Sequence, residues 1–214
     1  MRLPITLFIL ALSFFAQGQD AASFQQKATQ LETDGQFQEA LQQYEAWQSW
    51  AQKNGTCPEG QQACYEQAMA YYRNDDTEAA IHTLNRLVDN QFEDCTPNKT
   101  LGDTWHKLGV FYYIIDQYNQ AERAYQQAIR IRTALGAEHR AELSRSYHNL
   151  GVANKEKGSY NSAVNALQAA MELRRALGEA GLTADTYYEL AAVYQQMGEY
   201  TLAVNYLEAT LPIF

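Results

Sequence analysis

Apolar residues follow two spacings along this chain: the short spacing of a helix face and a longer one of about 41 residues. In the stretch 102–143, Trp105, Leu108 and Gly109 share one face of a predicted helix, and Ala121 begins the face of a second. The same residue types return forty-two positions later in the stretch 144–183. A fixed period in this range is typical of a solenoid in which each unit is a pair of helices.

Five such units can be placed, near 21–60, 61–101, 102–143, 144–183 and 184–214. Places are counted from the first residue of each unit. Small residues occupy the eighth and the twentieth place throughout, where we expect the two helices to cross closely. The residues at these places are Ala28, Ala68, Gly109, Gly151 and Ala191, and then Ala40, Ala80, Ala121, Ala163 and Ala203.

The third unit extends its second helix from Ile129 to Leu135, and we expect Gly136 to end that helix with a left-handed cap. Two units depart from the pattern. The first has Lys27 where others have Leu, and the second has Gln67 at the same place.

The unit resembles the tetratricopeptide repeat, which reads W-x-x-L-G-x-x-Y and then G-x-Y-x-x-A. The units of 40 to 42 residues are similar to those of kinesin light chains and of bacterial sensory and adaptor proteins. The resemblance implies an all-α fold, an α-α superhelix of about five helix-turn-helix repeats. It also implies a non-enzymatic scaffold that binds a protein or peptide in the groove lined by the first helices.

The groove residues of the family, carried over by repeat place, are aromatic, cationic and amide side chains in four units. They are Tyr65, Met69, Tyr72, Arg73, His106, Lys107, Val110, Tyr113, Arg145, His148, Asn149, Val152, Lys155 and Tyr188. One interpretation is an acidic partner, with Asn149 on its backbone and Lys107 and Arg145 on its charge. The other is that these are ordinary solvated groove residues. The full carboxylate-clamp set of the family is not reproduced.

The first 18 residues resemble a secretory signal peptide, because Arg2 precedes an apolar run that ends in small residues at Ala16-Gln17-Gly18. This run is too short to span a bilayer, which takes about 20 residues. We therefore expect an exported protein, periplasmic, cell-surface or secreted, whose mature chain begins near Gln19 and does not insert into the membrane.

Charge and motifs narrow the class of partner. With 25 acidic and 16 basic residues the net charge is −9, which argues against nucleic acid as a partner. The sequence contains no catalytic, metal or cofactor motif, so no enzyme activity, metal or cofactor is predicted. His106 and His148 lie at equivalent places on neighbouring helices, too far apart to share one metal ion.

The three cysteines allow one disulfide in an oxidising compartment. We expect Cys57 and Cys95 in equivalent loops and Cys64 at the start of the helix after Cys57. A disulfide between Cys57 and Cys64 would close the shorter loop and is therefore favoured, and three unpaired thiols are the alternative.

The fifth unit ends in apolar residues, Leu211 to Phe214, without the polar capping helix that repeat arrays normally have. Two interpretations follow. The chain is the N-terminal sensory arm of a larger protein, of the histidine kinase or caspase-like CHAT peptidase type, or its end docks on another copy to form a homodimer.

Overall fold

The computed structural model describes residues 20–54, 56–89 and 97–211. The predicted signal peptide therefore lies outside the described residues, as do Cys95 and the last three residues. None of the described helices is both long enough and apolar enough to cross a membrane.

The described residues form ten α-helices and one short 3-10 helix, without a β-strand. In chain order the α-helices are α1 Ala21–Thr33, α2 Phe37–Lys53, α3 Cys57–Arg73, α4 Thr77–Val88, α5 Lys99–Ile114, α6 Tyr118–Leu135, α7 Arg140–Glu156, α8 Tyr160–Ala176, α9 Ala180–Gln196 and α10 Tyr200–Glu208. The 3-10 helix, Ala137–His139, lies between α6 and α7. The five predicted helix pairs are confirmed.

The first helices of units two to five begin three or four residues before the predicted unit boundaries. Local capping explains the earlier starts. Asn98 accepts a hydrogen bond from the backbone N–H of Leu101 at the start of α5, and Pro58 lies in the first turn of α3.

The turn within each unit needs one residue with positive φ. Gly35, Gly158 and Gly198 supply it with φ of 73°, 80° and 79°. Asp75 and Asp116 take the same role in units two and three, with φ of 60° and 59°. Aspartate is among the few residues that tolerate this conformation, so the turn survives without glycine.

Gly136 ends α6 as predicted, but not through a left-handed cap. Its φ of 104° and ψ of −167° lie in an extended region that is open mainly to glycine. The prediction of the cap type was wrong because the chain must extend here to enter the short 3-10 helix before α7.

The small residues of the repeat pattern lie where the helices of a unit cross. A Cβ atom on Gly109 would come within 2.5 Å of the Tyr125 ring, and one on Gly151 within 2.5 Å of Leu167. Ala121 and Ala163 are fully buried at the same crossings. The predicted close approach is confirmed, and any larger side chain would force the helices apart.

The departures from the pattern in the first two units have structural explanations. Gln67 is buried, and its amide oxygen accepts a hydrogen bond of 2.9 Å from Gln48, so a polar pair replaces an apolar contact. Lys27 is exposed on the outer face of α1, which no preceding unit covers among the described residues.

Unit five leaves an apolar face uncovered by the described residues. Leu167 of unit four is fully buried, whereas Leu207 at the equivalent place is 43% exposed, and Val204 is 51% exposed. Packing of α9 against α8 covers Leu167, and no described helix packs in the same way on α10. Docking of a second copy or of a further domain on this face stays a prediction.

Candidate binding groove

The first helices of successive units lie side by side and form one wall of the molecule. Helices α1, α3, α5, α7 and α9 each contact the next in this series. Successive second helices make no comparable contact within the described part of the chain. The wall of first helices is therefore the tighter, inner side, which is where the family resemblance places a ligand.

All fourteen predicted groove residues lie on these first helices, but they differ in accessibility. Tyr72, Arg73, Arg145 and Tyr188 are exposed, with Tyr188 at 63%. Met69 is buried in the core at 8% exposure, so it supports the wall rather than facing a ligand. The others are half-buried: Tyr65, His106, Lys107, Val110, Tyr113, His148, Asn149, Val152 and Lys155.

Several half-buried members are partly occupied by neighbouring side chains. Tyr65 and Val110 pack against the core, and burial raises the pKa of Tyr65 to about 12. The Tyr113 ring lies 5.6 Å from that of Tyr118. These residues therefore shape the wall more than they offer free contacts.

Two of the four predicted groove cations are neutralised within the chain. Arg73 Nη2 lies 2.7 Å from Glu32 Oε2 of the preceding unit. Lys155 Nζ lies 2.8 Å from Glu189 Oε2 of the following unit and 3.4 Å from Glu156. Burial opposes the charge on Lys155, but the hydrogen bonds and negative charges of Glu189 and Glu156 together outweigh it and raise the pKa of Lys155.

The other two groove cations, Lys107 and Arg145, form no ion pair with any residue that the structure describes. They lie on α5 and α7, in the middle of the wall. A chain with a net charge of −9 thus keeps two uncompensated positive charges at the centre of its inner face.

The two groove histidines are not cationic at neutral pH. Burial lowers the pKa of His106 to about 3, with further repulsion from Arg132, Lys107 and Arg145. Burial also lowers the pKa of His148 to about 4, and Arg174 and Lys155 act in the same direction. Both rings therefore act as neutral hydrogen-bonding groups.

Two buried arginines were missed by the sequence analysis. Arg132 and Arg174 lie on the second helices α6 and α8 and are 4% and 3% exposed. They occupy the same repeat place, forty-two residues apart, and that recurrence was the signal that could have found them.

Each buried arginine joins its unit to the next. Arg132 Nη1 donates 2.9 Å to the carbonyl oxygen of Glu142, at the start of α7, and also to the hydroxyl of Ser146. Arg174 Nη1 donates 2.7 Å to the carbonyl oxygen of Leu182 and 2.6 Å to the Thr186 hydroxyl. These hydrogen bonds tie the second helix of one unit to the first helix of the next.

The predicted disulfide between Cys57 and Cys64 is wrong. Cys64 is a free, buried thiol whose Sγ lies 3.6 Å from the carbonyl oxygen of Thr83, whereas Cys57 is disulfide-bonded. Cys57 is the first residue of α3 and not part of a loop, and Cys64 lies two turns further along the same helix. Their Cα atoms are roughly 10 Å apart at 1.5 Å rise per residue, beyond the reach of a disulfide.

The described residues contain no group of histidine, cysteine, aspartate and glutamate side chains that could hold a metal ion. What the wall offers is free charge, neutral imidazoles and exposed tyrosines along a series of parallel helices. This arrangement defines an α-solenoid with a candidate groove for an extended ligand.

Comparison with known proteins identifies the family. The sequence model of the tetratricopeptide repeat family matches residues 100–176 and 156–214, and a second model of the same description matches residues 62–91. Together these matches cover more than half of the chain, so the chain belongs to the tetratricopeptide repeat family. A search of curated protein sequences finds no match.

Solved structures share the fold. Kinesin light chain TPR-like repeats from Podosopora anserina are 23% identical, with a TM-score of 0.70 over 90% of this chain and 93% of that one. BtubC (BKLC) from P. vanneervenii is 18% identical, with a TM-score of 0.77 over 95% and 84% of the two chains. MamA from Desulfovibrio magneticus RS-1 is 16% identical, with a TM-score of 0.66 over 92% and 97%. At these identities the likeness extends to the fold alone.

Proposed function

We propose that this protein is an exported, non-enzymatic scaffold that binds an extended segment of a partner protein along the wall of first helices. The observation that carries the proposal is the pair of uncompensated cations, Lys107 and Arg145, at the centre of that wall. Charged and aromatic groups on an inner helix layer are what a solenoid uses for recognition. Exposed Tyr72 and Tyr188 flank them and supply aromatic contact area.

Export is the second part of the proposal. The sequence before Gln19 supports it, and so does the disulfide at Cys57, because disulfides persist mainly in oxidising compartments. N-terminal sequencing of the protein recovered from its native host should find a mature chain that begins near Gln19. An intact N-terminus at Met1 would contradict export through this segment.

The groove is tested by reversing its two free charges. In the Lys107→Glu, Arg145→Glu double variant we expect partner affinity to fall at least about tenfold, because an acidic segment would meet like charges. The measurement is recovery of the partner by the immobilised chain, followed by titration with the purified partner.

The matched control is the Arg123→Glu, Arg130→Glu double variant. Both arginines are exposed on the second helix α6, and the change in net charge is the same. The control should bind as the unchanged chain does. If the groove variant retains full affinity, or if both variants lose it equally, the inner wall is not the binding surface.

A further inference from the structure

The two buried arginines occupy equivalent places but have different charged neighbours. Arg132 Nη2 donates 2.7 Å to Asp103 Oδ1, at the second place of its own unit. In the next unit that second place is held by Arg145, which is exposed. Arg174 therefore has a positive charge beside it where Arg132 has a carboxylate.

Within the described part of the chain, the hydrogen bonds of Arg174 also lack a carboxylate partner. All three run from Nη1, to His148 Nδ1 at 3.1 Å, to the Leu182 carbonyl oxygen and to Thr186. The Nη2 atom of Arg174 has no partner among the described residues, whereas the equivalent atom of Arg132 binds Asp103. The Nε atom of Arg174 is buried and equally unpartnered.

The nearby acidic side chains do not supply this missing carboxylate. Asp185 and Glu179 attract Arg174 from a distance, while Arg145 repels it, and neither carboxylate forms an ion pair with it. A buried guanidinium without a counter-charge is costly, because removal from water is not offset by a close anion. A carboxylate from outside would offset that cost.

We infer that the junction of units four and five is a carboxylate-binding subsite, in which an aspartate or glutamate side chain of the bound segment takes the position that Asp103 holds one unit earlier. Arg174 Nη2 binds this carboxylate from beneath the wall, and Arg145 holds it from the exposed side. The inference rests on the proposed groove and adds the chemistry of one position in it. It selects an acidic partner segment over a neutral one.

The first test is binding of a tetraglutamate peptide to the purified chain at low ionic strength, followed by NMR of the arginine Nε–H signals. We expect the Arg174 and Arg145 signals to shift and the Arg132 signal, already paired, to remain in place. Tetraglutamine should shift none of them. If tetraglutamate fails to shift the Arg174 signal, the subsite is absent, although the groove could still bind its partner in the charge-reversal experiment.

The second test supplies the carboxylate from the chain itself. Arg145→Asp recreates the arrangement of unit three, and Arg145→Asn is the matched variant without the charge. We expect Arg145→Asp to melt about 3 °C above Arg145→Asn and to weaken tetraglutamate binding about tenfold relative to the unchanged chain. Equal melting temperatures for the two variants would overturn the inference.

A third variant separates the subsite from an internal partner. If Asp185 already neutralises Arg174, Asp185→Asn will lower the melting temperature, because the buried guanidinium loses its counter-charge, and that result contradicts the inference. If the subsite is vacant as inferred, Asp185→Asn leaves the melting temperature unchanged, while the loss of a competing negative charge strengthens tetraglutamate binding.

Discussion

Two neighbouring junctions of this solenoid each contain a buried arginine at the same repeat place, but the two arginines have different charged neighbours. Between units three and four, Arg132 is neutralised by Asp103, and the junction is complete. Between units four and five, Arg174 makes the equivalent hydrogen bonds to the next helix, but Arg145 stands where the carboxylate would be. A repeat protein can thus turn a structural contact into a candidate binding position by changing one residue of the unit.

The largest expected difference between the junctions lies in the arginines themselves. Arg132→Met leaves the half-buried Asp103 with Lys99 as its one ion-pair partner among the described residues, so we expect a loss of about 3 kcal/mol in the free energy of unfolding. Arg174→Met removes hydrogen bonds but also an uncompensated buried charge, and we expect a loss below about 1 kcal/mol. Urea denaturation of both variants measures the difference. Equal losses would mean that the two arginines are electrostatically alike.

The next largest effect on stability is expected at the helix crossings of units three and four. Gly109→Ala places a methyl group against the Tyr125 ring, which is almost fully buried, and we expect a loss of about 2 kcal/mol. Gly151→Ala meets the Leu167 side chain and comes within 3.2 Å of the Ala163 carbonyl oxygen. Because leucine has more rotamers with which to yield than tyrosine, a smaller loss of about 1 kcal/mol is expected.

Gly181→Ala is the matched control for these crossings. Gly181 lies in α9, and a Cβ atom there would meet no neighbour within 4 Å in the described part of the chain. The gain in helix propensity should therefore appear alone, as a small increase of up to about 1 kcal/mol. Thermal denaturation of the three variants checks the order. A stabilised Gly109→Ala variant would contradict the close crossing.

The third expected effect is on the pH dependence of stability. The folded chain holds His106 and His148 neutral, with pKa values of about 3 and 4, whereas unfolded histidine titrates near 6.5. The unfolded state therefore binds more protons below pH 6.5, and stability falls as the pH drops. Each histidine should account for a loss of about 1.6 kcal/mol between pH 6.5 and pH 5.

Urea denaturation of the His106→Gln and His148→Gln variants at these two pH values measures the contribution of each histidine to the loss of stability. Each variant should show a shallower loss than the unchanged chain. The two should differ only below about pH 4, where the folded chain protonates His148 but still keeps His106 neutral. An unchanged slope in both variants would show that neither ring is held neutral.

Much of the fold could be predicted from the sequence because the constraint at a helix crossing is local and repeated. Gly109, Gly151 and the alanines of the twentieth place recur at one period, and each is small for the same steric reason. The capping geometry of Gly136 could not be predicted, since it depends on the path into the next helix. The Cys57–Cys64 pairing was wrong because the actual helix start put both residues on one helix.

The candidate groove was predictable only as a set of places. The family pattern put all fourteen residues on first helices, but it could not show that Met69 is buried or that Arg73 and Lys155 are already paired. These ion pairs join residues 41 and 34 positions apart, and side-chain reach across a unit boundary decides them. The repeat period predicts where the helices lie, but it carries little information on which charged side chains form ion pairs.

The sequence by itself therefore determined the architecture: five helix pairs with small residues at their crossings, because the period and the size of those residues leave few other ways to pack. Only the tertiary structure decided which positive charges remain free. Among the residues that the structure describes, Lys107, Arg145 and the Nη2 atom of Arg174 are left without partners by the relative position of adjacent units. Charge pairing depends on distances of a few ångströms between side chains far apart in sequence, and those distances exist only once the units have stacked.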